Sequence, residues 1–468
     1  MPDPSSSTRD LPRTIGFFGA VGILVGVSIG SGIFRTPASI ARDFSNPWII
    51  LLLWALGGVL CLFGALAYTE LAVLFPRSGG LYNFLYHGFG RSTAFVFGWS
   101  YMLLIKPFAA GGIAIVFAEH LNALVGLQPR LNTLVGEQTT VQLQRLLGEH
   151  WAMPPLVCVV LVALTAINTI GMRLGSGISV VLTAIKVLAL LAISSLAFIL
   201  PGGSAANFAP LPADKPWYLV IAAVMSGILW TYDGWSDVGS VAGEVKNPQR
   251  QLPRIYILGT LLVVALYLAV NAAYFWIIPL AEMRTTDTVA PLVMRKLAGE
   301  WGEKLVSAII LISTLGSTHA SIITGARVTF AQANDGLLFR FLGSVSRRET
   351  PAHALWNQCV LSCVCVLFLQ SFQNLAESFV FTMWIFYGLA AVSVIVLRVK
   401  RPDLPRTFRC PGYPVVPALF ALCAIAMTVM TVATSDNNLP LMWIAILLAG
   451  YPVYFIWDRL RRGSSQLA

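Results

Sequence analysis

Long apolar stretches separated by short polar ones dominate the chain. Twelve such stretches can be read, at about 15–41, 47–75, 92–120, 153–170, 177–200, 217–242, 254–279, 303–331, 354–371, 375–398, 414–433 and 439–458. Most are long enough to cross a hydrocarbon core of about 30 Å, which takes about 20 residues of α-helix. The alternating segments of about 10 residues that mark a membrane-spanning barrel are absent. Helices are then the remaining solution, because a backbone in lipid must satisfy its own hydrogen bonds. The pattern predicts an all-α polytopic membrane protein with twelve transmembrane helices.

Composition agrees. Of 468 residues, 57% are hydrophobic and 11% charged, whereas a soluble domain carries about 25% charged residues. The net charge of +10 raises the question of nucleic acid, and its distribution answers it. With both termini placed in the cytoplasm, the cytoplasmic side collects Arg9, Arg13, Arg77, Arg91, Arg173, Lys246, Arg250, Arg254, Arg327, Arg340, Arg347, Arg348, the basic run from Arg398 to Arg409, and Arg459 to Arg462. The other side receives Arg42, Arg130, Arg145, Lys215, Arg284, Arg295, Lys296 and Lys304. This asymmetry is a topology signal, so the basic excess gives no support to nucleic acid as a partner. The polar stretch Met1 to Arg13 lacks the features of a cleaved signal peptide, so the first apolar segment is expected to stay as an anchor. The expected location is the cell's inner (plasma) membrane, with tails at 1–14 and 459–468 in the cytoplasm.

Two spans carry interruptions. The first reads Ser28-Ile29-Gly30-Ser31-Gly32-Ile33-Phe34, and the sixth reads Ser226-Gly227 through Trp230, Tyr232, Asp233, Gly234 and Trp235. Glycine lowers helix propensity and permits unwinding. Interruptions at matching places in two halves point to inverted repeats around a midplane binding site. Unwinding presents N–H groups on one half-helix, which suit a carboxylate, and C=O groups on the other, which suit an ammonium. An α-amino acid needs both. A bland reading also exists, since small residues let membrane helices approach closely.

Ionisable residues at membrane depth mark function by default. Lys186 lies mid-span, with no short route to either surface, and needs a partner such as the carbonyls of an unwound helix. Three roles are open for Asp233: facing a cationic side chain of the cargo, carrying a proton, or satisfying freed N–H groups. Arg35, Lys106 and Glu119 are read as snorkelling toward ends or cavities. Glu70, at the end of the second span, suits a gate or a loop-anchoring salt bridge. Phe34, Trp230, Tyr232 and Trp235 flank the breaks and either gate the site or pack between helices, with Trp230 and Tyr232 the gating candidates. His319, beside Ser317 and Thr318, reads as a packed residue. The seven cysteines fall mostly in apolar runs, and Cys359, Cys363 and Cys365 have no histidine at ligand spacing, so no metal is expected. A phosphate loop of the G-x-x-x-x-G-K-[ST] type is missing. No cofactor and no enzymatic activity are expected.

Several motifs together resemble the amino acid–polyamine–organocation superfamily, in particular bacterial members of its L-type amino acid transporter branch. They are Gly30-Ser31-Gly32-Ile33-Phe34 with Thr36-Pro37, Tyr68-Thr69-Glu70-Leu71, Pro76-Arg77-Ser78-Gly79-Gly80, Ile105-Lys106-Pro107, Glu244-Val245-Lys246-Asn247-Pro248 with Leu252-Pro253, and Ala326-Arg327 with Asp335-Gly336. The resemblance runs from about residue 14 to 458. It implies a LeuT-like 5+5 inverted repeat plus two extra helices: a first five-helix repeat at 15–200, a second at 217–398 and the added pair at 414–458. It implies a sodium-independent secondary transporter, most simply an exchanger, with an L-amino acid as cargo. The cargo carboxylate would meet the N–H groups of Ser31, Gly32 and Ile33. Its ammonium would meet carbonyls near Ser28, Ile29 and Trp230. Trp230 matches the aromatic gate, and Lys186 the span-5 lysine that stands in for a sodium ion. Residues 121–152 contain no cysteine, so no disulfide-linked heavy chain is expected. Asp233 resembles dibasic-amino-acid exchangers, though relatives of other specificity share it, and Arg35 departs from the small or apolar residue expected there. The competing readings are a proton-coupled amino acid or polyamine symporter and a non-transporting membrane sensor.

Overall fold

A computed structural model describes residue 13 and residues 15–77, 79–147, 151–170, 175–212, 216–346, 350–435 and 437–466. Most of the N-terminal tail lies outside them, as do Ser78, Arg173, Lys215, Arg347, Arg348 and the last two residues. Among the described residues the elements are helical, apart from one isolated parallel bridge between Ile15 and Val245.

The first apolar segment forms two helices, α1 (Phe17–Ser28) and α2 (Gly32–Asp43), with Ile29 to Ser31 between them. Helix α3 (Pro47–Leu74) starts where Asn46 caps it: the Asn46 side chain accepts from the N–H of Trp48 at 3.0 Å, and Pro47 fills the first turn, where a missing N–H costs nothing. A short α4 (Leu81–Phe89) precedes α5 (Arg91–Ser100). A π-turn over Tyr101–Ile105 then leads into α6 (Lys106–Val125). Two helices, α7 (Leu127–Val135) and α8 (Glu137–Leu147), follow between the third and fourth expected spans. Next come α9 (Met153–Ile170), α10 (Gly175–Ile199) and α11 (Trp217–Tyr232). After α11 the chain winds as a 3-10 helix from Trp235 to Glu244.

The rest comprises α12 (Pro248–Ile277), a short α13 (Leu280–Met283), α14 (Val289–Asn334), α15 (Ala352–Leu369), α16 (Phe372–Lys400), α17 (Val415–Thr434) and α18 (Leu439–Gln466). Gly299, at φ 65°, kinks α14 near its start. Helices α15 and α16 meet in a tight turn. Gln370 is left-handed at φ 54°, and the Ser371 hydroxyl accepts from the N–H of Asn374 at 3.1 Å.

Ten described helical stretches are long and apolar enough to cross a membrane. The expected fifth and sixth spans fall on α10, which has 25 residues, and on α11, which has 16. Both are helical, and α11 is the shorter. The core lies where α1, α2, α6, α11, α14 and α16 pack around the breaks, with Ile29, Ile33, Phe34 and Phe108 fully buried. The outward faces of the bundle carry exposed Leu, Ile, Val and Phe, as lipid contact requires.

Candidate functional site

The break in the first span and the break after α11 touch. Gly234 is at φ 114°, and a Cβ there would sit 2.6 Å from the Ser28 nitrogen and 2.9 Å from the Val27 carbonyl carbon. All are backbone atoms, so only glycine permits this approach. The next contact is between Thr231 and α2. The Thr231 hydroxyl donates to Thr36 Oγ1 at 2.9 Å, and a Cβ on Gly32 would lie 2.8 Å from the Thr231 Cα.

Ser31, Gly32 and Ile33 head α2, where N–H groups have no carbonyl one turn behind them. The hydroxyls of Ser28 and Ser31 are buried and lack a partner, as does the Ser321 hydroxyl on α14. Buried polar atoms are nearly always bonded, so the two serine hydroxyls that flank the first break are free to bond a polar ligand. The carbonyl side is partly engaged. The Ser28 carbonyl accepts from the Gly30 N–H at 2.8 Å and from the Tyr267 hydroxyl at 2.6 Å. The Trp230 carbonyl accepts from the Asp233 N–H at 3.2 Å.

Lys186, 3% exposed, reaches from α10 to the break. Its ammonium donates to the Gly26 carbonyl at 3.1 Å and to the Ser317 hydroxyl at 2.6 Å. One charge thus ties the end of α1 to α14. The Thr183 hydroxyl adds a bond to the Gly22 carbonyl at 3.2 Å.

Trp230 is buried edge-on between Phe372 (5.7 Å between rings) and Phe379 (5.1 Å), with Gly112 beneath it. Small cavities lie to either side of the breaks. One is lined by Thr36, Ser39, Asp43, Gly227, Gln373 and Glu377. The other opens beside the start of α4 and is lined by Gly80, Tyr101, Lys106, Asp233, Asp237 and Tyr387 among others. Asp233 caps α11 and accepts from the Tyr387 hydroxyl at 2.6 Å, and that hydroxyl also bonds Ser236 at 2.7 Å.

Three expectations change. Lys106 does not snorkel: it is 5% exposed, and its ammonium lies 3.1 Å from Asp237 Oδ1 and 3.3 Å from the Thr324 hydroxyl. Its position near the middle of the third span was the available signal, because a snorkelling lysine must start within reach of an end. Tyr232 turns away from the break. Its hydroxyl donates to the Trp54 carbonyl at 3.1 Å and its ring packs on Tyr267, so it holds α11 to α3 and α12 rather than gating. Arg35 and Glu119 pair with each other, and Arg35 also lies over the Phe372 ring. Glu70 anchors a loop: Arg398 grips it in two bonds of 2.6 and 2.9 Å, and the Cys410 N–H donates to it at 2.7 Å. His319 bonds Asn168 at 2.6 Å.

The sequence-wide comparisons bear on what this arrangement is for. The family model for amino acid permeases matches residues 15–451. The chain belongs to that family. It is a multi-pass membrane protein and an amino acid transporter of the amino acid–polyamine–organocation superfamily. The human b(0,+)-type amino acid transporter 1 is 28% identical over 98% of this chain and 91% of its own length. The mouse large neutral amino acids transporter small subunit 2 is 29% identical over 95% of this chain and 81% of its own length. The serine/threonine exchanger SteT of Bacillus subtilis (strain 168) is 28% identical over 95% of this chain and 97% of its own length.

Proposed function

We propose that this permease is a sodium-independent exchanger of L-amino acids that works by alternating access. The observation that carries the reading is Lys186. Its ammonium fixes a positive charge between a carbonyl of α1 and a hydroxyl of α14. A carbonyl and a hydroxyl oxygen are the kinds of ligand a sodium ion takes, and a covalently held cation already occupies them. Without sodium to drive uphill uptake, outward movement of a second amino acid can supply the driving force, which is exchange. A relative named as an exchanger, SteT, supports this.

In this reading the cargo carboxylate lies against the N–H groups of Ser31, Gly32 and Ile33. The ammonium lies against the carbonyl ends of α1 and α11, around Ile29 and Trp230. Ser28 serves through its unpartnered hydroxyl, because its carbonyl is engaged. Trp230 closes over the cargo, and Asp233 faces its side chain. Residues 15–200 and 217–398 act as the two inverted repeats, with 414–458 outside them. The protein sits in the inner (plasma) membrane with both termini cytoplasmic, so that the α4 end is the inner one. It works without a disulfide-linked heavy chain.

Purified protein in liposomes tests this. Uptake of labelled serine, threonine, leucine, arginine, glutamate and putrescine is followed in sodium-free buffer, with and without amino acids inside. Faster uptake into loaded vesicles, unchanged by sodium, is expected. Uptake into empty vesicles driven by a pH gradient would replace exchange with proton symport. Binding without any flux would indicate a sensor.

A further inference from the structure

The cavity beside α4 holds two carboxylates and one ammonium, and the way they are paired has a consequence for the cargo. Asp233 and Asp237 come from the segment that follows α11, and Lys106 faces them from α6. Lys106 is held from several directions. Asp237 takes it at 3.1 and 3.4 Å, Thr324 at 3.3 Å, and the Tyr101 ring lies 5.6 Å from its ammonium. The π-turn just before it brings Tyr101 and Ile105 into the lining of the same cavity. Asp233 is bonded to a neutral partner instead, the Tyr387 hydroxyl.

We propose that Lys106 is a specificity-determining residue. By holding Lys106 to itself, Asp237 keeps that ammonium off Asp233, so one carboxylate stays uncompensated beside the cargo. A cargo with a cationic side chain completes the charge balance of the cavity, and a neutral one does not. If Asp237 lost its charge, Lys106 would be free to neutralise Asp233 and to repel a second cation. Thr324 and Tyr101 are neutral, and the next charges toward the α4 end, Arg327 and Glu244, already pair with each other at 3.2 Å. They do not offer Lys106 another partner.

This rests on the placement of the cargo at the two breaks, and not on exchange. The readout is therefore equilibrium binding of labelled arginine and leucine to purified protein in detergent, with exchange measured separately. Failure of exchange would leave the binding ratio readable. In Asp237→Asn the preference for arginine over leucine falls at least about tenfold, the size of one favourable charge contact in a partly buried site. In Lys106→Met/Asp237→Asn the preference returns to within about threefold of the starting protein, because one carboxylate is again left alone. Equal loss for both ligands in Asp237→Asn would overturn the proposal, since it would make the pair a structural tie. So would a double variant that behaves like Asp237→Asn. If Asp237→Asn is not recovered folded, Lys106→Gln at alkaline pH reads the same property with opposite sign. The arginine preference must then rise, and a fall or no change refutes the assignment.

Discussion

Lys186 offers the strictest test of the central reading. Replacing it with alanine removes two hydrogen bonds from a charged donor, at 3.1 Å to the Gly26 carbonyl and 2.6 Å to Ser317. Each such bond contributes about 1.5–3 kcal/mol net. A water filling the vacated space would replace part of that, while the cost of burying an ammonium disappears. A loss of about 2–4 kcal/mol in the arrangement that ties α1 to α14 is the expected balance. At about 1.4 kcal/mol per factor of ten, that corresponds to a drop of roughly 30-fold to several hundredfold in the occupancy of the binding-competent break. Lys186→Met, which keeps most of the volume without the charge, should fall nearly as far. The assay is exchange of labelled amino acid in liposomes, normalised to the amount of inserted protein, in sodium-free and sodium buffers. Partial recovery of Lys186→Ala by sodium would show the vacated oxygens accepting a dissolved ion. Exchange at the original rate by both variants without sodium would refute the argument, because the charge would then have no part in shaping the break.

The remaining predictions concern packing and closure. Gly234→Ala places a Cβ against the backbone of Val27 and Ser28 and adds the strain of a positive φ, so the breaks must separate. Amino acid binding should be lost even where the protein inserts, and normal binding would refute the contact. Glu70→Gln leaves Arg398 and Arg406 without their shared carboxylate. Breaking one side of such a buried group costs about 3–5 kcal/mol, so the thermal midpoint in detergent should drop clearly, and an unchanged midpoint would count against the anchor. Arg35→Gln cuts a partly exposed ion pair between α2 and α6, worth about 0.5–1 kcal/mol. A cysteine placed at Ser39 should then react roughly 2- to 5-fold faster with an impermeant thiol reagent, and equal rates would show that the pair does not limit access to Ser39.

Hydropathy located the spans because lipid imposes one rule on every crossing segment. The stretch expected at 153–170 is Met153–Ile170 in the structure. Where the rule stops, so does the legibility. Helix α12 begins at Pro248 rather than near 254, because a helix started by proline continues through Gln and Arg outside the hydrocarbon. Helix α14 begins at Val289 rather than near 303, ahead of a kink at Gly299. The first break was readable from Gly30-Ser31-Gly32, since local propensity decides it. The second reads across Ser226 to Trp235, but the helix continues through Tyr232 and opens only at Asp233 and Gly234, and the 3-10 winding to Glu244 has no sign in the residues.

Side-chain partners follow a different logic. Lys106 and Asp237 lie 131 residues apart, as do Lys186 and Ser317, and nothing along one dimension selects them. What one dimension does hold is the surface they share. Ser313, Ser317, Ser321 and Thr324 recur on α14 at helical spacing, so they form one polar stripe. Ser317 takes Lys186 and with it the first break. Thr324 takes Lys106 and with it the segment after the second break. Ser321 lies between these two anchors with its hydroxyl buried and unpartnered. Both interrupted helices are therefore tied to the same helix by two lysines. A polar stripe within an apolar span is costly unless it is used. Here two of its members hold the broken helices in register, and Ser313 and Ser321 keep buried hydroxyls without a partner among the described residues.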